Sequence, residues 1–226
     1  MRLGQLLICT GIGVLVATAP AISVEVCAAP PSSVGPAVFG QVFRSTRHAM
    51  LRVRTRDERR PFATGFLIGA QGEFIFGARG SPLKTLAVIT SDGIERTATL
   101  LGLEPSLGLA VGRIDGDPVA PPLNAAAGRA LALEQWVVVL QHDAQGVAEP
   151  FAGVVERSAQ RTLLGPRDQQ ARFAVARVAA PGVPGSPVLS LRGELVAVVF
   201  EEGARKTRVV MLDSVLPFLR STILGP

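Results

Sequence analysis

Short segments that alternate apolar and polar residues, or form brief apolar runs, recur about ten times along the chain, with turn signals between them. The first group lies between residues 50 and 115 and includes AQG and SDG at hairpin positions. The second group follows residue 135, after a stretch rich in Pro, Ala and Gly. Strands of this length and spacing, divided once, predict an all-β protein of two small barrels.

Helical periodicity is confined to the two ends of this strand pattern. Apolar residues at helical spacing in 37–50 predict a short helix before the first strand. LDSVLPFLRSTI predicts a terminal helix, with Asp213 or Ser214 as its cap. We therefore predict a first barrel over 36–117, a linker over 118–131, a second barrel over 132–211 and a helix over 212–223.

Residues 1–28 have the features of an export signal. Arg2 adds positive charge to the amino terminus, an uncharged apolar run follows, and small residues come next. Cleavage after Ala21 or Ala28 satisfies the small-x-small pattern. The alternative is an uncleaved anchor over residues 3–24, which is long enough to span a bilayer. Both predict export to the periplasm, cell envelope or medium, with membrane contact only through an uncleaved segment.

The chain is basic, with a formal net charge of +5, and arginines crowd residues 44–60. Such a patch is typical of proteins that bind nucleic acid or anionic surfaces. Asp57 and Glu58 interrupt the arginines, however, no aromatic residues are interleaved with them, and export removes the chain from most nucleic acid. We interpret the region as a solvated surface and predict no nucleic-acid partner. The arginines concerned are Arg44, Arg47, Arg52, Arg54, Arg56, Arg59 and Arg60.

Four stretches of the sequence, in order and at matching spacing, resemble segments of the HtrA/Deg-type trypsin-like serine proteases. They are GFLIGAQGEFIFGARG (65–80), LGLEPSLGLAVGRID (101–115), EQWVVVLQHD with AEPFAGVVERSAQR (134–143 and 148–161) and PGVPGSPVLSLRGELVAV (181–198). The resemblance covers residues 36–225 and lacks the PDZ domains that often follow in the family. It implies a trypsin-like double barrel, with two six-stranded β-barrels, a short N-terminal helix and a C-terminal helix.

The resemblance carries the fold but not the catalytic side chains. Aligned on the four stretches, the triad positions hold Arg79 for the histidine, Gly108 for the aspartate and Pro184 for the serine. Arginine cannot act as a base, glycine has no side chain to orient one, and proline has no hydroxyl. Proline also lacks the N–H that the nucleophile residue donates to the oxyanion, so Gly182 is the residual oxyanion-loop donor.

Few other residues could replace the missing groups. Ser186 follows Pro184 by two positions, where the family has a glycine, and making it the nucleophile breaks the alignment. His48 and His142 are the two histidines of the chain. His142 stands beside Asp143, but sequence neighbours rarely point at each other, and we interpret it as a surface loop residue.

Metal and cofactor chemistry finds no support in the sequence. Neither Lys84 nor Lys206 falls at a catalytic position of the family. Cys9 lies in the apolar N-terminal run and Cys27 near the candidate cleavage site, so a mature chain keeps at most one cysteine. One cysteine and two separated histidines cannot build a zinc site, and we predict no metal, no cofactor and no internal disulfide.

The missing triad predicts a catalytically inactive HtrA-like pseudoprotease that binds an extended peptide or protein. The groove between the barrels would take a peptide as an added strand, which uses backbone groups alone. Arg79 is a candidate contact for an acidic peptide or carboxylate. Two alternatives are an active trypsin-like endopeptidase with a displaced site, and a basic envelope protein that binds anionic surfaces. The sequence leaves the oligomeric state open.

Overall fold

The structure is a computed structural model that describes residues 34–55, 63–78, 86–117, 119–126, 128–164, 169–201 and 206–223. Strands dominate it and form two closed antiparallel barrels of six strands each, which confirms the predicted fold class. The predicted export segment lies outside the described residues. Within the part of the chain that is described, no helix is long and apolar enough to cross a membrane.

The first barrel has the strand order β1-β2-β3-β6-β5-β4. Leu51 and Val53 of its first strand are fully buried, whereas Arg52 and Arg54 between them are partly exposed. This alternation holds the register, because a slip by one residue would put arginine side chains into the core. The strands are β1 (Met50–Thr55), β2 (Ala63–Leu67), β3 (Glu73–Gly77), β4 (Leu86–Ile89), β5 (Glu95–Glu104) and β6 (Leu109–Ile114).

The second barrel has the strand order β10-β11-β12-β9-β8-β7. Five segments of the sequence, from WVVVLQHD to ELVAVVFEE, predict strands of this barrel, and none of them covers β12. Its five residues lie between a charged segment and a helix and are too few to show the alternation of a strand. The strands are β7 (Trp136–His142), β8 (Ala148–Leu164), β9 (Gln169–Val178), β10 (Pro187–Leu189), β11 (Leu195–Glu201) and β12 (Thr207–Met211).

Two helices flank the barrels, α1 (Pro36–Thr46) and α2 (Leu212–Ile223), and a short 3₁₀ turn joins α1 to β1. Both predicted caps of α2 lie inside its first turn and bond to distant backbone instead. The Asp213 carboxylate accepts the Gly128 N–H at 2.6 Å, and the Ser214 hydroxyl oxygen accepts the Arg172 N–H at 2.8 Å. The start of α2 is therefore tied to β9 and to the linker.

The linker is bonded to both barrels. Leu123 donates its N–H to the carbonyl of Leu67 at the end of β2, at 3.0 Å. On the other side, Leu195 of β11 donates to Asn124 at 2.7 Å and accepts from Ala126 at 2.9 Å. One cluster of buried apolar side chains also continues from the first barrel into the second. These contacts hold the barrels in a defined relation, and the ends of several strands meet between them.

Candidate functional site

The end of β3 meets the loop of residues 181–186 at van der Waals contact. A Cβ atom on Gly77 would lie 2.8 Å from the carbonyl carbon of Pro184. From the opposite side, a Cβ on Gly185 would lie 2.7 Å from the Cα of Gly77. Gly185 also has a φ of +87°, which side chains of L-residues rarely adopt. Only glycine on both sides allows this approach.

The turn between β5 and β6 completes the meeting point. Ala78, which follows β3, donates its N–H to the carbonyl of Gly108 at 2.9 Å. Gly108 has a φ of +60° and Pro184 is partly buried. The structure therefore brings Gly108 and Pro184, at the predicted aspartate and serine positions, close to the end of β3. The chain runs on from β3 to Arg79, the predicted histidine position. Arg79 itself lies outside the described residues.

Gln141 of β7 holds the loop that contains Gly182. Its buried side-chain amide donates to the carbonyl of Pro181 at 3.1 Å and accepts the N–H of Val183 at 3.0 Å. Gly182 between them is enclosed, because a Cβ there would lie 2.6 Å from the Cγ2 of Thr207. The Val183 N–H is thus already bonded. Sequence reasoning missed Gln141, although a glutamine after five apolar strand residues was a usable signal.

Ser186 is fully buried. Its N–H donates to Val183 at 3.0 Å and its carbonyl accepts from Val199 of β11 at 2.9 Å, so the backbone is fixed. Its hydroxyl has no hydrogen-bond partner among the described residues. A nucleophilic serine needs a base within hydrogen-bond reach and access to substrate. Neither is present at Ser186 within the described part of the chain.

His142 is the last residue of β7 and is partly buried, so the interpretation as a surface loop residue is wrong. Its Nδ1 lies 3.3 Å from the Thr64 hydroxyl. Burial, followed by the positive charge of Arg52, lowers the pKa of His142 to about 4, and Asp143 opposes that shift. Consecutive strand residues point to opposite faces, so His142 faces away from the loop that Gln141 holds.

Asp143 does not act as an orienting carboxylate for His142. It accepts the N–H groups of Gln145 and Val147, at 2.9 and 2.8 Å, and closes the turn between β7 and β8. Lys206 pairs with Glu156 at 3.3 Å, and Lys84 lies outside the described residues. Within the described ranges, no cluster of His, Cys, Asp and Glu could hold a metal ion.

Paired six-stranded barrels with these loop ends converging between them have the architecture of the trypsin-like serine proteases. The family described as trypsin-like peptidase domain matches residues 63–198, more than half of the chain. The chain therefore belongs to the trypsin-like peptidase domain family. No curated protein matches it.

Solved structures of similar fold include HtrA-type proteases. Rv3671c from M. tuberculosis H37Rv, in an inactive form and carrying a serine-to-alanine change, matches with a TM-score of 0.71 and 22% identity, over 87% of this chain and 97% of that chain. The Rv3671c protease, also in an inactive form, matches with a TM-score of 0.70 and 22% identity, over 88% and 100%. The HtrA-type protease AlgW with decapeptide matches with a TM-score of 0.68 and 14% identity, over 83% and 68%.

The Gln141 amide bonds predict a stability cost for Gln141→Leu. The change leaves the Val183 N–H and the Pro181 carbonyl without their partner, and we expect the free energy of unfolding to fall by about 2–4 kcal/mol. Urea denaturation measures it. The matched control is Gln145→Leu in the exposed turn, expected to change stability by no more than about 0.5 kcal/mol. Equal stabilities for the two variants would contradict the role of Gln141.

The lowered pKa of His142 predicts a specific pH dependence of stability. Between pH 6.5 and about 4 the unfolded chain takes up a proton that native His142 does not. The free energy of unfolding therefore stays constant above that window and falls as the pH drops through it, by up to roughly 3 kcal/mol. Urea denaturation from pH 8 to 4 should show this fall in the wild type and in His48→Gln, and a smaller one in His142→Gln. Superimposable curves for all three proteins would refute it.

Proposed function

We propose that this protein is a catalytically inactive HtrA-like homologue that acts by binding peptides. The observation that carries the proposal is Pro184, which lies where the end of β3 and the 181–186 loop meet. Proline supplies neither a hydroxyl nor an N–H at that point. Gly108, at the turn that contacts the same strand end, supplies no carboxylate.

Loss of the oxyanion donors supports the same conclusion. The N–H of the nucleophile residue contributes about 3–4 kcal/mol of barrier lowering in such sites, and Pro184 cannot provide it. The adjacent Val183 N–H is bonded to Gln141. Gly182 is the remaining donor in the loop, and one donor without a nucleophile cannot support acyl transfer.

A displaced active site receives little support from the geometry. Ser186 is the serine nearest to Pro184 in the loop, and its hydroxyl is buried without a partner among the described residues. His142 lies on the opposite face of β7 from Gln141, which contacts this loop. The active endopeptidase is therefore the weaker of the two candidates.

Peptide binding is supported by the end of β11. Pro187, the first residue of β10, pairs with Val198, so β11 continues beyond its neighbour by several residues. Val199 is bonded through its backbone to Gly185 and Ser186 of the loop, and β11 ends at Glu201. A strand that continues past its neighbour beside the loop is a place where an extended peptide can add through backbone hydrogen bonds. We further propose that the protein acts outside the cytoplasm, on the strength of the N-terminal export pattern.

Catalytic inactivity predicts the response to an active-site probe. The wild-type protein and Ser186→Ala should both remain unlabelled by a fluorophosphonate, because no activated serine is present. Denaturing gels with fluorescence detection measure labelling, with trypsin as the positive control. A triple variant, Arg79→His with Gly108→Asp and Pro184→Ser, is expected to gain labelling. Labelling of the wild type that is lost in Ser186→Ala would overturn the proposal.

Strand addition predicts that binding depends on the peptide backbone. We expect fluorescein-labelled decapeptides from a mixed-sequence library to bind, and alternate N-methylation of the best ones to weaken binding at least about tenfold, because each methyl removes a donor. Fluorescence anisotropy measures the Kd. If Arg79 contacts acidic ligands, Arg79→Ala weakens acidic peptides and spares neutral ones. Equal Kd values for methylated and unmodified peptides would exclude strand addition.

A further inference from the structure

Both histidines of the chain line one surface cavity. The cavity has a volume of about 660 Å³ and lies between the end of α1, the turn after β4 and the turn after β7. His48 enters it from the 3₁₀ turn that follows α1, and His142 from the end of β7. Small-molecule sites have volumes of about 300–1,000 Å³. Neither Gly108 nor the 181–186 loop nor the end of β11 lines this cavity, so it is distinct from the peptide-binding position proposed above.

Three arginines also line the cavity, and none of them has a carboxylate within ion-pair distance among the described residues. They are Arg44, Arg47 and Arg52. Many other described arginines do form ion pairs, for example Arg113 with Glu73 at 3.3 Å. Guanidinium groups gathered around a cavity without counter-charges are the arrangement that binds oxyanions.

The acidic groups near the cavity are already engaged. The Asp92 carboxylate accepts the Thr90 hydroxyl and the Ile94 N–H within its own turn, and it lies 3.7 Å from Arg96. These bonds lower the pKa of Asp92, so it stays ionised. Asp143 is used by the turn after β7. Three arginines against these two carboxylates leave a net positive charge.

Two side chains that could donate hydrogen bonds to a ligand, Arg52 and His142, come from different barrels and are held in place by neighbouring residues. The Arg52 side chain extends from β1 across to the β7–β8 turn, where a Cβ on Gly146 would lie 3.0 Å from its Cδ. The Thr64 hydroxyl oxygen accepts the backbone N–H of His142 at 3.5 Å, and it lies 3.3 Å from Nδ1 of the His142 ring. Because Thr64 occupies Nδ1 in either tautomer, Nε2 is the ring nitrogen of His142 that is left for a ligand in the cavity.

We propose that this cavity is a binding site for a phosphomonoester, the terminal phosphate of a small organic molecule or of a lipid headgroup. The planar guanidinium group of arginine can donate two parallel hydrogen bonds to phosphate oxygens. A doubly charged phosphate has more oxygens and more negative charge than a carboxylate, so it can pair with several arginines at once. The remaining volume accommodates the organic part of the ligand. Arg44, Arg47 and Arg52 belong to the arginine-rich region that the sequence predicts to be a solvated surface, and Arg44 and Arg47 are exposed.

Isothermal titration calorimetry at low salt tests the proposal with glycerol 3-phosphate, inorganic phosphate and acetate. Flotation with phosphatidylcholine vesicles, with and without phosphatidic acid, tests the lipid source. We expect a phosphomonoester in at least one of the two forms to bind more tightly than acetate. Binding of glycerol 3-phosphate identifies a soluble ligand, and binding of phosphatidic acid vesicles alone identifies a headgroup.

Single substitutions connect that binding to the cavity. Arg47→Gln at an exposed position and Arg52→Gln across the barrel junction should each weaken it at least about tenfold, because each removes a charge-assisted hydrogen bond. Arg220→Gln, an exposed arginine on α2, is the matched control and should not change the Kd. Thermal melting checks that each variant is folded. Absence of phosphomonoester binding, or equal weakening by Arg220→Gln, would overturn the proposal.

Discussion

The contact between Gly77 and the Pro184–Gly185 peptide is the steric constraint on which the candidate site depends. A single methyl group on either side would overlap backbone atoms, so the end of β3 and the loop can approach this closely only with glycine at both positions. This contact joins the end of a strand of the first barrel to the loop that precedes β10 of the second. The position of Pro184 beside the end of β3 follows from it.

The shape of the 181–186 loop is held by backbone hydrogen bonds and by one side-chain amide. Gln141 bonds to Pro181 and Val183, and Val199 bonds to Gly185 and Ser186. None of these bonds requires a nucleophile or a base. The shape of this loop is therefore no evidence of catalysis, and the fold and the chemistry must be argued from different residues.

The cavity of the two histidines illustrates what sequence reasoning could not reach. His48 and His142 are far apart in the chain, and nothing in their neighbours indicates that they share a site. Thr64 bonds to His142, and Arg52 reaches the turn after β7, only because the barrels close and pack side by side. Contacts of this kind depend on strand order and barrel closure, and a period of alternating residues carries no information about either.

The sequence by itself predicted eleven of the twelve strands and the division into two barrels, and its resemblance to the proteases placed Arg79, Gly108 and Pro184 at the triad positions. Alternation and turns are local properties, and the identity of a side chain is read directly at Gly108 and Pro184. The tertiary structure alone decided that Gln141 holds the loop, that Ser186 is buried and that His142 is partly buried with Arg52 near it. The physical reason is that burial and hydrogen bonding arise between residues brought together only when both barrels have closed.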